Sequence, residues 1–229
     1  MLRPSALRGL GAPQNTFASE SFMDELAAAA GIDPVAFRLR HLHDPRAQVV
    51  VERAATLARW QSRPSPRRAA SGAALATGRG IAFVQYETVY AYVATVAEVE
   101  VDRATGVVRV PRDFVAHDCG LIVNPDGLRN QIEGATIQTI SRALKEEVVF
   151  DRSAVTSLDW SSYPILRFSE VPETIEIELI DRPTEPALGA GEPAVCPVPA
   201  AIANAIFDAT GARVRTMPFT PERVKAVLG

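Results

Sequence analysis

Lysine is almost missing from this chain: nearly all of its 24 basic residues are arginine, set among 27 acidic ones for a net charge of −3. The two signs are interspersed, so there is no basic stripe of the kind that binds nucleic acid and no polybasic patch for a membrane surface. Cysteine is as scarce. Cys119 and Cys196 stand far apart and form no CxxC pair, which argues against a disulfide framework, a zinc site or an iron–sulfur cluster ligated within the chain. No apolar run is long enough to cross a bilayer, and the N-terminal MLRPSALRGLG has no apolar core of signal-peptide length. A soluble, cytoplasmic protein in a reducing compartment is expected.

What is present reads as a packed globular chain. At 229 residues and 47% hydrophobic content it can form one large domain or two small ones. Helix starts are written as a capping side chain before proline at Asp33-Pro34, Asp44-Pro45, Asn124-Pro125 and Thr220-Pro221. The spacing predicts helices from about Phe17 to Ala30 (with Phe22, Leu26 and Ala29 on one face and Gly31 as its stop), from Pro34 to His41 and from Pro45 to Arg59. The stretch from Gln61 to Gly78 is rich in Pro, Ser, Arg, Ala and Gly without periodicity, as a linker is. Beyond it the period becomes two: IAFVQYETVYAYVATVAEVEV gives strands, and DRATG makes a hairpin into VVRVPRDFVAHD. A helix from Pro125 to Lys145, a strand at Thr174 to Ile180 and helices near Ala200 to Ala209 and Pro221 to Val227 complete the pattern. The expected fold class is α+β (mixed α/β), organised as a helical part over 1–61, a linker over 62–78 and an α/β part over 79–229.

Three stretches carry candidate chemistry. In EPALGAGEPAVCP, Glu192 follows a small-residue run and precedes a helix. It is either a turn anchor accepting backbone hydrogen bonds or a general base held where bulky neighbours cannot block a ligand. In ALRGLGAPQ, Arg8 sits in a glycine loop that is either a surface turn or a backbone cradle for an anionic or oxo ligand. NPDGLRNQIEGA opens a helix that presents Gln131, an ordinary amphipathic helix or an anion-binding N-terminus. His41 and His43 are two apart across a helix end with no third ligand nearby, so both are expected in solvent. His117 and Cys119 are expected to pack.

Read together, LRGLGAPQNTFASESFMDELAAAAGIDPVAFRLRHL, VAEVEVDRATGVVRV, DCGLIVNPDGLRNQIEGA and GAGEPA follow one another in a known order. Over nearly its whole length the chain resembles the molybdenum-binding large subunit of the xanthine dehydrogenase/aldehyde oxidase family. DWSSYPILRFSEVPE and IANAIFDATGARVRTMPFTPERV are similar to its isoquinoline 1-oxidoreductase and nicotinate dehydrogenase branch. The resemblance implies the fold of the C-terminal molybdenum-cofactor-binding domain and oxidative hydroxylation of an N-heterocycle or aldehyde with water as the oxygen source.

It also implies roles. Glu192 is then the base beside molybdenum, Gly191 lies close to the pterin and metal ligands, Gln131 hydrogen-bonds the pterin, and Arg8 and Gly9 face the metal centre. Leu10 would meet substrate where purine-oxidising relatives carry a phenylalanine, and an aliphatic side chain cannot sandwich a purine. Thr139 stands where many relatives have glycine, and EPAVCPVP departs from the usual polar segment. The implied cofactor is molybdenum-molybdopterin in the cytosine dinucleotide form, with no metal ligand from protein side chains. Iron–sulfur clusters would lie on an electron-transfer partner subunit. Family large subunits are longer than this chain, so a separate chain carrying the N-terminal half is an expected partner. The rival expectation is a non-catalytic fragment or scaffold remnant that does not bind cofactor alone.

Overall fold

At Asp33-Pro34, Asp44-Pro45, Asn124-Pro125 and Thr220-Pro221, a capping side chain and a proline start a helix where the sequence places one. The computed structural model describes residues 5–67 and 74–228. Within these, the element order is α1 (Ala12–Ala29), α2 (Pro34–His41), α3 (Pro45–Leu57), β1 (Leu75–Gln85), β2 (Tyr92–Asp102), β3 (Val108–Asp118), α4 (Pro125–Leu144), β4 (Thr174–Leu179), α5 (Val198–Thr210) and α6 (Pro221–Leu228). The Asp33 carboxylate accepts from the amides of Val35 and Ala36, Asp44 from Arg46, and Asn124 from Gly127, each satisfying a donor that the first helical turn leaves unpaired. Thr220 does the same for Arg223 at the head of α6. None of the described helices is long and apolar enough to cross a membrane.

The strands form one sheet in the order β1-β2-β3-β4, antiparallel through β3 and parallel between β3 and β4. Asp102 closes the predicted hairpin by accepting from the amides of Ala104 and Thr105. The parallel return to β4 needs a crossover, and α4 supplies it. Helices cover both faces, giving the expected α+β class. On one side α4 and α5 bury Ile140, Ile202 and Ile206 against Val99, Val101 and Val110. On the other, α2 and α3 bury Val35, Val50, Val51 and Ala54 against Ile81, Val96 and Phe114. Contact with α5 is closest at Gly78 and Gly80, where a Cβ would stand 2.4 Å and 2.3 Å from the carbonyl oxygens of Ala205 and Ala201. Only glycine lets these backbones meet.

Two expectations are corrected. The first helix begins at Ala12 instead of near Phe17, and its predicted apolar face points outward, with Phe22 57% and Leu26 40% exposed. The buried positions include Glu20 and Asp24, because Arg38 from α2 is fully enclosed there and donates to the Glu20 carboxylate at 2.7 Å. Arg213 pairs with Asp24 at 2.7 Å. Buried ions must be paired, so this network decides which face turns inward. The second correction concerns the stretch read as a linker. Its last residues already belong to β1, which starts at Leu75. Arg63 grips buried Asp208 through both carboxylate oxygens at 2.6 and 2.7 Å, and Ser65 adds a third bond at 2.9 Å. Residues 68–73 of that stretch lie outside the described residues.

Candidate active site

The loop ahead of α1, the outer face of α4, the end of β1 and the small-residue loop ahead of α5 converge on one carboxylate. Gly9 is what lets the first of these close. Its φ is +93°, and a Cβ there would lie 2.5 Å from a methyl of Val195. With the loop seated against Val195, the Gly9 amide donates to Glu192 Oε1 at 3.2 Å. Glu192 itself stands just ahead of a short 3-10 turn, Pro193–Val195, whose buried side chains lead directly into α5. Proline and the helix behind it thereby set where the carboxylate points.

Arg8 ties the other parts of the site together. Its Nε donates to the Gly191 carbonyl at 2.7 Å, Nη2 to Gln131 Oε1 at 3.0 Å, and Nη1 to Gln138 Oε1 at 3.3 Å. Arg142, one helical turn beyond Gln138, donates to the Arg8 carbonyl at 2.9 Å. Neither guanidinium forms an ion pair among the described residues, and burial together with the Arg142 charge lowers the proton affinity of Arg8.

The second oxygen of Glu192 is held from the sheet. Tyr86, 6% exposed at the end of β1, donates its hydroxyl to Glu192 Oε2 at 2.6 Å. That bond, then the Gly9 amide, and finally the Arg8 charge hold the Glu192 carboxyl below its usual range. Burial and the adjoining carboxylate push the Tyr86 phenol well above the usual tyrosine range. Glu192 is thus an ionised, partly exposed acceptor beside a positively charged, amide-lined shelf. Such a group can take up a proton from a ligand lying on that shelf.

Five of the six residues singled out from sequence, Arg8, Gly9, Gln131, Gly191 and Glu192, are joined by direct hydrogen bonds. Leu10 follows Gly9 with φ +51° and projects into solvent at the rim. Tyr86, Gln138 and Arg142 were not foreseen. Gln138 carries a signal in retrospect, standing seven residues after Gln131 on the same helix face as Gly134. Tyr86 carries none, since it reads as one aromatic among several in a strand run. His41 and His43 are exposed, and His117 and Cys119 are buried.

The chain matches the family described as a molybdopterin cofactor-binding domain over residues 18–172, a span that holds Gln131 but neither Arg8 nor Glu192. It is similar to a subunit of the nicotinate dehydrogenase of Pseudomonas putida, 48% identical over 235 residues that cover 100% of this chain and 20% of that polypeptide. The beta subunit of isoquinoline 1-oxidoreductase from Brevundimonas diminuta is 36% identical over 94% of this chain and 26% of its own length. Among solved structures, the aldehyde oxidoreductase of Desulfovibrio gigas superposes with a TM-score of 0.82 at 20% identity, covering 99% of this chain and 42% of that one. At that identity the likeness is one of fold. The chain therefore spans less than half the length of each of these relatives.

Proposed function

Because this chain belongs to the molybdopterin cofactor-binding family, whose members include large subunits of the xanthine dehydrogenase/aldehyde oxidase type, we propose that it is the C-terminal portion of a molybdenum hydroxylase catalytic subunit. Its reaction is the oxidative hydroxylation of an N-heterocycle, or of an aldehyde, with water as the oxygen source. The observation that carries this reading is the Glu192 carboxylate, fixed by Tyr86 and Gly9 beside the Arg8–Gln131 shelf.

The residues present suit the cofactor. Arg8 occupies the side-chain carbonyl oxygens of Gln131 and Gln138, so neither side-chain NH2 group has a protein acceptor among the described residues and both are free to donate to a pterin. A Cβ built at Gly191 or Gly134 meets nothing within 4 Å, which leaves the shelf open to a flat group. Gln131, Arg8, Gly9 and Gly191 are the residues that would hold it. When bound, the cofactor supplies a two-electron oxidation and a metal that activates water. The protein's part is positional and acid–base. Glu192 keeps a lone pair on each oxygen beyond those engaged by Tyr86 and Gly9, and it accepts the proton there. Leu10 at the rim offers the substrate an aliphatic contact.

We extend the reading to the assembly. The chain covers 20% and 26% of two relatives that are themselves called subunits, so further polypeptide, including the N-terminal half, completes the cofactor site. The dinucleotide is the cytosine form, and electrons leave through iron–sulfur clusters on a partner subunit. The buried free thiols Cys119 and Cys196 suit a cytoplasmic location. N-heterocycles are favoured over aldehydes because nicotinate and isoquinoline name the two relatives.

The test is Glu192→Gln in the assembled enzyme, with molybdenum content and turnover measured on one preparation. Unchanged metal with turnover reduced roughly 10²- to 10⁴-fold is expected. Retained turnover removes Glu192 as the base. A wild-type assembly without molybdenum favours the scaffold remnant.

A further inference from the structure

We propose that Tyr86 is the positioning residue for Glu192, fixing the plane of the carboxylate and the pH at which it is ready to accept a proton. The inference rests on the reading of Glu192 as the base.

The two oxygens of Glu192 are held by donors of different kinds. Gly9 offers a backbone amide to Oε1 at 3.2 Å, a long bond from a loop at the surface. Tyr86 offers a hydroxyl to Oε2 at 2.6 Å, a short charge-assisted bond from a ring packed in the core. Tyr86 belongs to the buried cluster that also holds Val93 of β2, Ile132 of α4 and Val195 of the turn after Glu192 itself. One donor alone would leave the carboxylate free to swing about its terminal torsion. Two donors on separate oxygens remove that freedom, and the tyrosine is the one anchored by a buried ring.

The backbone beyond Tyr86 is bent to hold it there. Glu87 and Thr88 have φ of +49° and +62°, a region uncommon for non-glycine residues and a real outlier for a β-branched one. The turn is closed by the Tyr86 amide donating to the Ala91 carbonyl at 2.9 Å and the Tyr90 amide donating to the Tyr86 carbonyl at 2.9 Å. Consecutive residues held in this region persist where the surroundings over-determine them, and they gather at sites that must be held in shape.

The charges that face this pair are few. Arg8 lies on the loop before α1, with Arg142 of α4 behind it; Glu87 stands next to Tyr86, and the Cys196 thiol, pushed up to about 12 by burial, sits below. Of these, Arg8 is the cation near enough for its charge to favour the ionised carboxylate. Removing the Tyr86 hydroxyl therefore withdraws the largest single influence keeping Glu192 ionised.

Two measurements test this. In the full chain, the Glu192 carboxylate is followed by infrared difference spectroscopy, with Glu192→Gln as the subtraction reference. Tyr86→Phe is expected to raise its pKa by about one unit, the worth of one hydrogen bond to a charged group. 3-Fluorotyrosine at position 86, a stronger donor of nearly the same shape, is expected to lower it, which keeps the test open should the phenylalanine variant fail to fold. In the assembled enzyme the acidic limb of kcat moves with the pKa while KM stays in place. An unmoved pKa in both Tyr86 variants overturns the inference. If Glu192→Gln abolishes turnover while Tyr86→Phe leaves the pH profile unchanged, the base survives and the positioning role falls. If Glu192→Gln keeps its turnover, the base reading falls, and the infrared shift still reports whether Tyr86 controls the carboxylate.

Discussion

Arg38 and Glu20 meet inside the molecule: the guanidinium Nε donates to Glu20 Oε2 at 2.7 Å with only 2% of the arginine exposed. The same arginine donates to the carbonyls of Pro34 at 3.1 Å and Glu20 at 3.0 Å, and Phe83 of β1 donates its amide to the same carboxylate oxygen of Glu20 at 2.9 Å. One ion pair thus joins α1, α2 and β1.

Arg38→Ala should be among the most damaging single changes outside the site. It strands Glu20 in the interior without its counter-charge and leaves Asp24 to Arg213 alone, a loss of about 3–5 kcal/mol. Urea unfolding reads it directly. The double variant Glu20→Leu/Arg38→Met should recover much of the loss, since matched apolar side chains remove the need for pairing; a double variant no better than the single one would mean the network supplies more than charge balance.

Asp113 of β3 is fully buried, with no hydrogen-bond partner for either carboxylate oxygen among the described residues. Burial pushes its carboxyl from 3.8 up to about 8. Between those values the folded protein keeps a proton that the unfolded chain has released, so stability is greatest below about pH 4 on this account and declines as pH rises to about 8. Asp113→Asn should flatten that decline, with a gain on the order of a few kcal/mol at pH 8. Denaturation midpoints at pH 5 and pH 8 measure it.

His117 gives the opposite slope. It is buried four residues further along the same strand face, and burial lowers its imidazole from 6.5 to about 4. From pH 6.5 down to about 4 the unfolded chain binds a proton that the folded protein refuses, so stability is lost as pH falls through that window. His117→Phe should remove this acid sensitivity while leaving the alkaline loss assigned to Asp113, a separation that midpoints across the full pH range resolve.

Gly9→Ala should act on fold and site together. The added methyl meets Val195 at 2.5 Å and Pro13 at 2.8 Å on a backbone already at φ +93°, at a cost of about 1–3 kcal/mol. As the loop lifts, its amide leaves Glu192 Oε1, and the carboxyl should rise toward its ordinary value. Thermal unfolding and the infrared titration of Glu192 follow the two effects, and a stability loss without any rise would separate them.

The local grammar of this fold was legible in the residues. Asp33, Asp44 and Asn124 cap amides two or three positions away, and Asp102 closes its own hairpin, so each interaction lies within a single turn of chain. The outward turn of Phe22 and Leu26 was not legible. Apolar periodicity reports what a helix can bury, whereas the buried face of α1 was set by Arg38 and Arg213, partners 18 and 189 residues away from Glu20 and Asp24. The site divides the same way. A glycine loop and a proline-flanked glutamate mark Gly9 and Glu192, because close approach and fixed direction demand those residue types, whereas Gly191, where a Cβ would meet nothing, was marked only by the family resemblance. That Arg8 reaches Gly191 and that Tyr86 reaches Glu192, across separations of 183 and 106 residues, followed only once the sheet and its covering helices had closed. A hydrogen bond needs its partners about 3 Å apart, and sequence spacing carries no information about distance beyond the reach of one turn.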